Sequence, residues 1–210
     1  MDFPLIEYLT ILGIFCVVVI VPGPDFAMVL RQSITHGRRT AIFTSAGVAS
    51  SIIVHSAYSI LGLGFIISQS LLMFTIIKFV GAAYLLWLGI NAFFAPAPKA
   101  PENLTENENT ITSAKAYAIG FLTNLLNPKA VLFFISLFTV IISVDTILVH
   151  KVFYVLSMSV LLFLWFSLVS IFFTTKKVRN SFYKIGKWFN RVTGLALIFI
   201  AVRMALVTHK

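Results

Sequence analysis

The chain has 210 residues, of which 59% are hydrophobic and only 11% are charged, and its mean hydropathy is +0.98. Soluble proteins carry about 25% charged residues, so this composition excludes an ordinary soluble domain and indicates a chain that lies in lipid. At roughly 20 residues for each helical crossing, the length allows about six or seven crossings with short loops. We therefore expect one membrane domain over residues 1–210 and no separate soluble domain.

The net charge is +9, from 16 Lys and Arg against 7 Asp and Glu. In a soluble chain this excess would suggest nucleic acid, but here the basic residues lie in short loops between apolar segments. The positive-inside rule explains such loops, and we predict no nucleic-acid partner. The one cysteine, Cys16, excludes a disulfide framework or a thiolate metal cage, and we interpret it as a packing residue. Residues 1–4 lack the positive charge of a cleaved signal peptide.

The first predicted helix begins near Tyr8 and is interrupted at Val21-Pro22-Gly23-Pro24-Asp25, after which apolar residues continue to Leu30. The next charge-free run, 40–77, has about 38 residues and as one helix would be about 57 Å long. The hydrocarbon core is only about 30 Å thick, so this run must turn. The turn is expected at 62–64 or at 68–70, which gives a second helix over about 41–67 and a third over about 71–94.

Residues 95–113 have a polar, proline-rich composition that predicts a flexible linker. A fourth helix is expected over about 115–143, interrupted at Asn127-Pro128-Lys129, and a fifth over about 152–175. Residues 176–191 combine apolar residues at helical spacing with six Lys and Arg, the pattern of a basic helix that lies on membrane lipids. The sixth helix is expected over about 188–207.

The distribution of Lys and Arg predicts the orientation. The first, third and fifth loops carry eleven of them, and the opposite side carries few. With six crossings, the positive-inside rule places both termini outside the cytoplasm. The eleven residues are Arg31, Arg38, Arg39, Lys99, Lys115, Lys176, Lys177, Arg179, Lys184, Lys187 and Arg191.

The linker divides the chain into halves of about 1–95 and 114–210, each with three predicted helices and each opening with a helix broken by proline. An odd number of crossings in each half means that the second half enters the membrane upside down. This is the inverted repeat found in many secondary transporters. The predicted fold is therefore an all-α membrane protein of about six transmembrane helices in two inverted three-helix repeats.

The two breaks have a specific chemistry. Proline suits the first position of a helix, and Asn127 before Pro128 is a good N-cap, so a new half-helix is expected at each break. Such an N-terminus presents unpaired N–H groups and the positive end of the helix dipole, which favour a carboxylate. Irregular backbone at membrane depth is tolerated where it is buried in protein or lines a cavity. The breaks therefore predict a cavity.

A shift of 104 positions places Pro24 on Pro128 and Asp25 on Lys129, so the two halves offer an acid and a base at equivalent points. Charges at membrane depth are costly. Asp25 and Lys129 are therefore expected to meet near the cavity, either as an ion pair or as partners for the ammonium and carboxylate of a zwitterionic substrate. An inert salt bridge that holds the halves together is the alternative. The candidate substrate-binding residues are Pro22, Gly23, Pro24, Asp25, Asn124, Asn127, Pro128 and Lys129.

The second helix carries a stripe of small and polar residues with His55 at its centre. Small residues allow close helix packing, which is the favoured interpretation of the serines. An imidazole inside a span can also relay protons, so Asp25 and His55 are the candidates for proton coupling. The stripe consists of Thr44, Val48, Ser51, His55, Ser59 and Gly62.

These motifs carry a family resemblance. The segments 21–26, 29–33, 37–39, 78–85 and 88–89, with Gly47 and His55, resemble the first half of the lysine-exporter (LysE/RhtB-type) family of amino-acid exporters, and 120–129 resembles its second-half motif. The resemblance covers about 5–205. It implies an inner-membrane exporter of amino acids or small derivatives, driven by an ion gradient and without a bound cofactor, whose site includes the Pro-Gly-Pro-Asp and Asn-Pro-Lys positions.

The sequence thus favours a secondary transporter whose two halves rock about a central site, with an amino acid as its small-molecule partner. A second copy of the chain, in a homo-oligomer, is a further candidate partner. The first alternative is a metal-cation exporter, which would need several carboxylate, Cys or His ligands at depth. An intramembrane enzyme lacks any supporting motif, and we expect no catalytic residues. A membrane scaffold without transport would not require two matched broken helices.

Overall fold

The structure is a computed structural model that describes residues 3–69, 71–96, 111–143, 145–173 and 175–206. These residues form eight helices and no strand. The predicted all-α class is therefore confirmed. The helices are α1 (Leu5–Ile20), α2 (Pro24–Thr35), α3 (Gly37–Gln69), α4 (Leu71–Phe94), α5 (Ser113–Leu125), α6 (Pro128–Val140), α7 (Leu148–Phe172) and α8 (Lys176–Leu206).

Both predicted interruptions are present. The chain bends by 57° between α1 and α2 and by 60° between α5 and α6. Pro24 and Pro128 each occupy the first turn of the new helix, where a missing N–H costs nothing. Asn127 caps α6, because its Oδ1 accepts a hydrogen bond of 3.0 Å from the backbone N–H of Lys129. Local sequence rules therefore determine where these two helices break.

Two continuous helical segments, Gly37–Gly62 and Leu148–Phe172, are long and apolar enough to cross a membrane. Each bent pair also passes as one broken span, which gives up to four candidate spans among the described residues. A shorter apolar segment lies at Phe79–Phe94. The chain is thus a helical protein with several candidate crossings.

Two predicted helix boundaries are absent from the structure. The helix continues through Gly62–Gly64, so a turn there is wrong; α3 ends at Gln69 and α4 begins at Leu71, which agrees with the second candidate position. The predicted interfacial helix and sixth helix form one continuous helix, α8, because a change in polarity along a chain does not interrupt backbone hydrogen bonds. The side chains of 176–184 and most of the linker, 97–110, lie outside the described residues.

Two helix crossings depend on glycine. A Cβ atom added to Gly120 of α5 would lie 2.0 Å from the carbonyl oxygen of Thr44 on α3, and one added to Gly47 would lie 2.0 Å from the carbonyl oxygen of Tyr117. In the same way, a Cβ on Gly194 of α8 would lie 2.5 Å from the backbone nitrogen of Phe93 on α4. Backbones at these crossings are in direct contact, which only small residues permit.

The predicted stripe on α3 is the buried face of this crossing. Thr44, Ser51 and His55 are fully buried, and Ser59 is almost so. Gly62, at the end of the stripe, has no atom of the described residues within 4 Å of a Cβ position. The prediction that the serines pack is confirmed for Ser51 and Ser59.

Glu7 ties the start of α1 to the loop after α6. Its carboxylate accepts hydrogen bonds of 2.9 Å from the backbone N–H of Ser143 and 2.9 Å from the hydroxyl of Thr146. At another part of the molecule, the Asn190 amide of α8 donates to the carbonyl of Pro96 at 3.0 Å. The N-terminus and the 141–147 loop therefore lie together, as do the end of α4 and the first half of α8.

The glycine crossing gives a test of the packing. We expect Gly120→Ala to lower the free energy of unfolding by about 1–3 kcal/mol, because the new methyl group forces α3 and α5 apart. Gly13→Ala is the matched control: in the described part of the chain, nothing lies within 4 Å of its Cβ position on α1, and alanine is the better helix former. The midpoint of thermal unfolding of the purified protein in detergent measures both. Equal midpoints for the two variants would contradict the close approach.

Candidate functional site

A cavity of about 50 Å³ lies between the two helix breaks. Both halves of the chain form its walls, and α7 of the second half contributes two side chains. The lining contains one acid, one base and two asparagines, and its other residues are mostly apolar. The lining residues are Phe15, Val18, Val19, Val21, Gly23, Asp25, Phe26, Ile52, Asn124, Asn127, Lys129, Ala130, Phe133, Phe134, Leu162 and Phe166.

Asp25 lies in the first turn of α2, next to the positive end of that helix dipole. Its Oδ2 accepts hydrogen bonds from the amide nitrogens of Asn124 and Asn127, at 2.9 and 2.8 Å. Its Oδ1 is buried, and no group in the described part of the chain donates to it. Because a carboxylate has about four lone-pair positions, this oxygen is available to accept from a bound cation.

Lys129 lies at the start of α6, but its ammonium reaches back to the end of α1. The Nζ donates to the backbone carbonyls of Val18 and Val21, at 3.2 and 3.1 Å. The last carbonyls of a helix have no partner within that helix, and the dipole is negative there. Lys129 therefore caps α1 across the boundary between the two halves.

Asp25 and Lys129 thus line one cavity without bonding to each other in the described structure. The carboxylate is held by amides and the ammonium by carbonyls. Neither the ion pair nor the inert salt bridge weighed from the sequence is the arrangement found. The two charges lie at opposite kinds of helix terminus, each where the dipole favours it.

His55 is fully buried and joins the site through Asn124. Its Nε2 lies 3.1 Å from Oδ1 and 3.2 Å from the backbone oxygen of Asn124, and its Nδ1 lies 2.7 Å from the hydroxyl of Tyr58. Since the Asn124 amide nitrogen donates to Asp25, its oxygen must face the histidine. Nε2 therefore carries a proton, and in the neutral ring Nδ1 accepts from Tyr58.

Ser51 and Phe134 complete the surroundings of this network. The Ser51 hydroxyl donates to Asn124 Oδ1 at 2.5 Å, and the Phe134 ring stacks on His55 with 5.4 Å between centroids and 5° between planes. A continuous chain of contacts thus runs from Tyr58 through His55 and Asn124 to Asp25. It joins α3 of the first half to the break of the second.

The family model described as LysE type translocator matches residues 16–208, nearly the whole chain. The chain belongs to the LysE type translocators. The resemblance read from the Pro-Gly-Pro-Asp and Asn-Pro-Lys motifs is therefore confirmed, and the chain is a multi-pass membrane protein of a family of transporters.

Curated relatives match this LysE type translocator along most of their length. An uncharacterized membrane protein, YrhP, of Bacillus subtilis (strain 168) is 31% identical over 207 residues, which cover 94% of this chain and 98% of that protein. The threonine efflux protein of Escherichia coli (strain K12) is 28% identical and covers 90% and 93%. The leucine efflux protein of Klebsiella pneumoniae is 28% identical and covers 97% of each. No solved structure matches the chain significantly.

The structure brings together most of the sequence candidates for the site of this translocator. Gly23, Asp25, Asn124, Asn127 and Lys129 line the cavity. The candidates Pro22, Pro24 and Pro128 are not among its lining residues, and the latter two are exposed at the start of their helices. The prolines therefore shape the breaks, and the residues around them present the chemistry.

Sequence reasoning missed two groups of residues. Tyr58 lies three positions after His55, so helical spacing alone places it on the same face, and this signal could have found it. Phe133 and Phe134 lie one helical turn after Lys129 and line the cavity. Their position was readable from the sequence, but aromatic residues are too common in this chain to single them out. Among the described residues, no group of three or more His, Cys, Asp or Glu could hold a metal ion.

Asn127 has two roles that substitutions can separate. Serine keeps the N-cap oxygen but loses the amide that donates to Asp25, and alanine loses both. We expect the order of thermal stability to be wild type, Asn127→Ser, Asn127→Ala, with about 1 kcal/mol between the two variants for the lost cap. Thermal unfolding in detergent measures the order. If the serine variant matches the alanine variant, the cap contributes nothing; if it matches wild type, the bond to Asp25 contributes nothing.

Proposed function

We propose that this protein is a secondary transporter that exports amino acids, or small derivatives of them, across the cytoplasmic membrane. Full-length relatives that are named for threonine and leucine efflux support this proposal. The observation that carries it is the cavity between the breaks, where Asp25 and Lys129 come from opposite halves. One acid and one base are what the ammonium and carboxylate of an amino acid require.

In the proposed complex, Asp25 Oδ1 accepts from the substrate ammonium and Lys129 donates to the substrate carboxylate. The Asp25 carboxylate needs no rearrangement, because its Oδ2 alone accepts from the two amides. The Lys129 ammonium must turn away from the carbonyls of Val18 and Val21. Two charged contacts offset the cost of removing a zwitterion from water.

The cavity must widen to admit a substrate. Its volume of about 50 Å³ is well below the roughly 150 Å³ of an engineered protein cavity that binds benzene, and most amino acids have at least as many heavy atoms as benzene. We assign this structure to a closed stage of an alternating-access cycle. The breaks at 21–23 and 126–127, which lack continuous helical hydrogen bonding, are the proposed places of bending.

Six crossings in two inverted halves remain our proposal for the arrangement in the membrane, with residues 141–147 on the side of both termini. The bonds from Glu7 to the 141–147 loop support it, because six alternating crossings bring that loop to the side of the N-terminus. By the positive-inside rule this side faces away from the cytoplasm. Contact of segment 176–191 with anionic lipid is part of the same proposal.

For coupling to the proton gradient, we propose direct competition at Asp25. A proton and the substrate ammonium both bind the carboxylate, and one oxygen is open to them. Release of the substrate outside lets a proton bind to Asp25. Release of that proton inside returns the carrier to the state that binds substrate. His55 is the other candidate for this role; its contacts with Asn124 suit it to hold the amide that orients Asp25.

Removal of either charge tests the site. In proteoliposomes, we expect Asp25→Asn and Lys129→Met to reduce exchange of the transported amino acid by roughly 100-fold, because each leaves one charge of the substrate buried without a partner. The matched controls are Asp145→Asn and Lys115→Met, which change exposed residues outside the cavity. Normal exchange in both site variants, at normal protein levels, would contradict the proposal.

A variant of His55 separates the two candidates for coupling. Glutamine can still donate to Asn124 but cannot carry a proton at physiological pH, so we expect His55→Gln to keep exchange within about threefold of wild type. An acidic exterior should still accelerate its net efflux. Efflux into buffers of stepped pH, beside exchange at equal pH, measures both quantities. If exchange survives but acceleration is lost, the coupling group is His55 and not Asp25.

A further inference from the structure

The lining of the proposed site contains two kinds of side chain. Asp25, Lys129 and the two asparagines are polar, and the other lining side chains are aromatic and aliphatic. If the polar side chains hold the charged groups common to all amino acids, the apolar side chains must surround the rest of the substrate. The chemistry of those apolar side chains then determines which amino acids are carried.

The ionisable groups of the lining are fully used by the substrate backbone. Asp25 and Lys129 are the acid and the base in the cavity wall, and the described part of the lining contains no second ionisable side chain. A lysine or glutamate side chain would therefore be buried without a counter-charge, which is very unfavourable. Because Asp25 and Lys129 are both used by the substrate backbone, the cavity excludes substrates with a charged side chain.

The neutral polar groups are also committed. Both asparagine amide nitrogens donate to Asp25; the oxygen of Asn124 accepts from Ser51 and His55, and that of Asn127 caps α6. A hydroxyl or amide on the substrate side chain would have to break one of these bonds, or donate to the Val18 and Val21 carbonyls that Lys129 leaves in the proposed complex. The side chains of the lining therefore offer a polar substrate group no free partner, and an unpaired buried polar group costs affinity.

The apolar walls are built from side chains that pack on one another. Phe133 and Phe134 of α6 lie edge to face at 5.4 Å between centroids, and Phe15 of α1 lies 6.0 Å from Phe133. Leu162 and Phe166 are one turn apart on α7 and are nearly fully buried. The walls belong to α1, α6 and α7, and the first two of these helices end or begin at a break. Bending at the breaks would therefore enlarge the cavity without changing which side chains line it.

We infer that the cargo is an amino acid with a bulky apolar side chain, branched aliphatic or aromatic, and that Phe15, Phe133, Leu162 and Phe166 determine this specificity. The inference rests on the proposed function, because it assumes that this cavity binds an amino acid. A missing methylene in an apolar pocket costs roughly tenfold in discrimination. Alanine and glycine are therefore poor cargo for the same reason that leucine is good cargo.

The test is homo-exchange in proteoliposomes that contain the full-length protein. Separate batches are filled with one unlabelled amino acid each and given the same labelled amino acid outside, over leucine, isoleucine, phenylalanine, alanine, serine, lysine and glutamate. We expect the first three to exchange at least tenfold faster than the others. Faster exchange of lysine, glutamate or serine would overturn the inference and leave the proposed function standing. Exchange of none would overturn both.

A wall variant links selectivity to the named residues. Phe166→Ala enlarges the chamber, so the ratio of tryptophan to leucine exchange should rise about tenfold; Phe166→Leu, a smaller and gentler change, should raise it less. Phe172→Ala is the matched control, because Phe172 is on the same helix with 53% of its surface exposed and does not line the cavity. An unchanged ratio in both Phe166 variants, with normal rates for leucine, would overturn the role of the wall.

Discussion

The structure depends on one constraint: a helix break leaves backbone N–H and C=O groups without partners, and other parts of the chain must bind them. The first break leaves the carbonyls of Val18 and Val21, and the ammonium of Lys129 binds both. The second leaves the N–H groups at the start of α6, and the Asn127 oxygen binds one of them. The polar residues of the cavity thus first satisfy the backbone, and the candidate site is a product of that requirement.

Each half of the chain supplies what the other half lacks. Lys129 of the second half caps a helix of the first, and Asp25 of the first half is held by two amides of the second. The same ammonium is the proposed partner of the substrate carboxylate, so binding of the cargo competes with capping of α1. In the proposed cycle, occupancy of the site is therefore linked directly to the stability of the end of α1.

The sequence predicted the features that follow from local rules. Pro24 and Pro128 can only begin a helix, and Asn127 is a preferred cap, so the breaks were readable from a few residues. The partners of Asp25 and Lys129 were not, because opposite charges suggest a pair and only the fold shows that carbonyls and amides are nearer. The continuity of α8 was missed for a related reason: polarity predicts where a helix lies, not where its hydrogen bonds end.

Glycines show the same limit. Gly120 and Gly13 each lie in an apolar run of the opening helix of its half, so local composition does not separate them. Yet a Cβ on the first would collide with the backbone of Thr44, and one on the second would contact none of the described residues. The difference is a property of the neighbouring helix. Composition indicates that glycine favours close crossings in membranes, but it does not say which glycine lies at a crossing.

The two glycine crossings also bear on which parts of the protein can move. One interlocks α3 with α5 and the other α4 with α8, and in both cases the helices come from different halves of the chain. Main chains in direct contact have no side chains between them to slide or repack, so we expect each pair to move as one body. These two pairs connect the two halves of the chain. A cycle in which each half moves as a unit would have to separate the α3–α5 and α4–α8 crossings, where main chains are in contact. Displacement of α1, α2 and α6 around the cavity leaves both crossings intact.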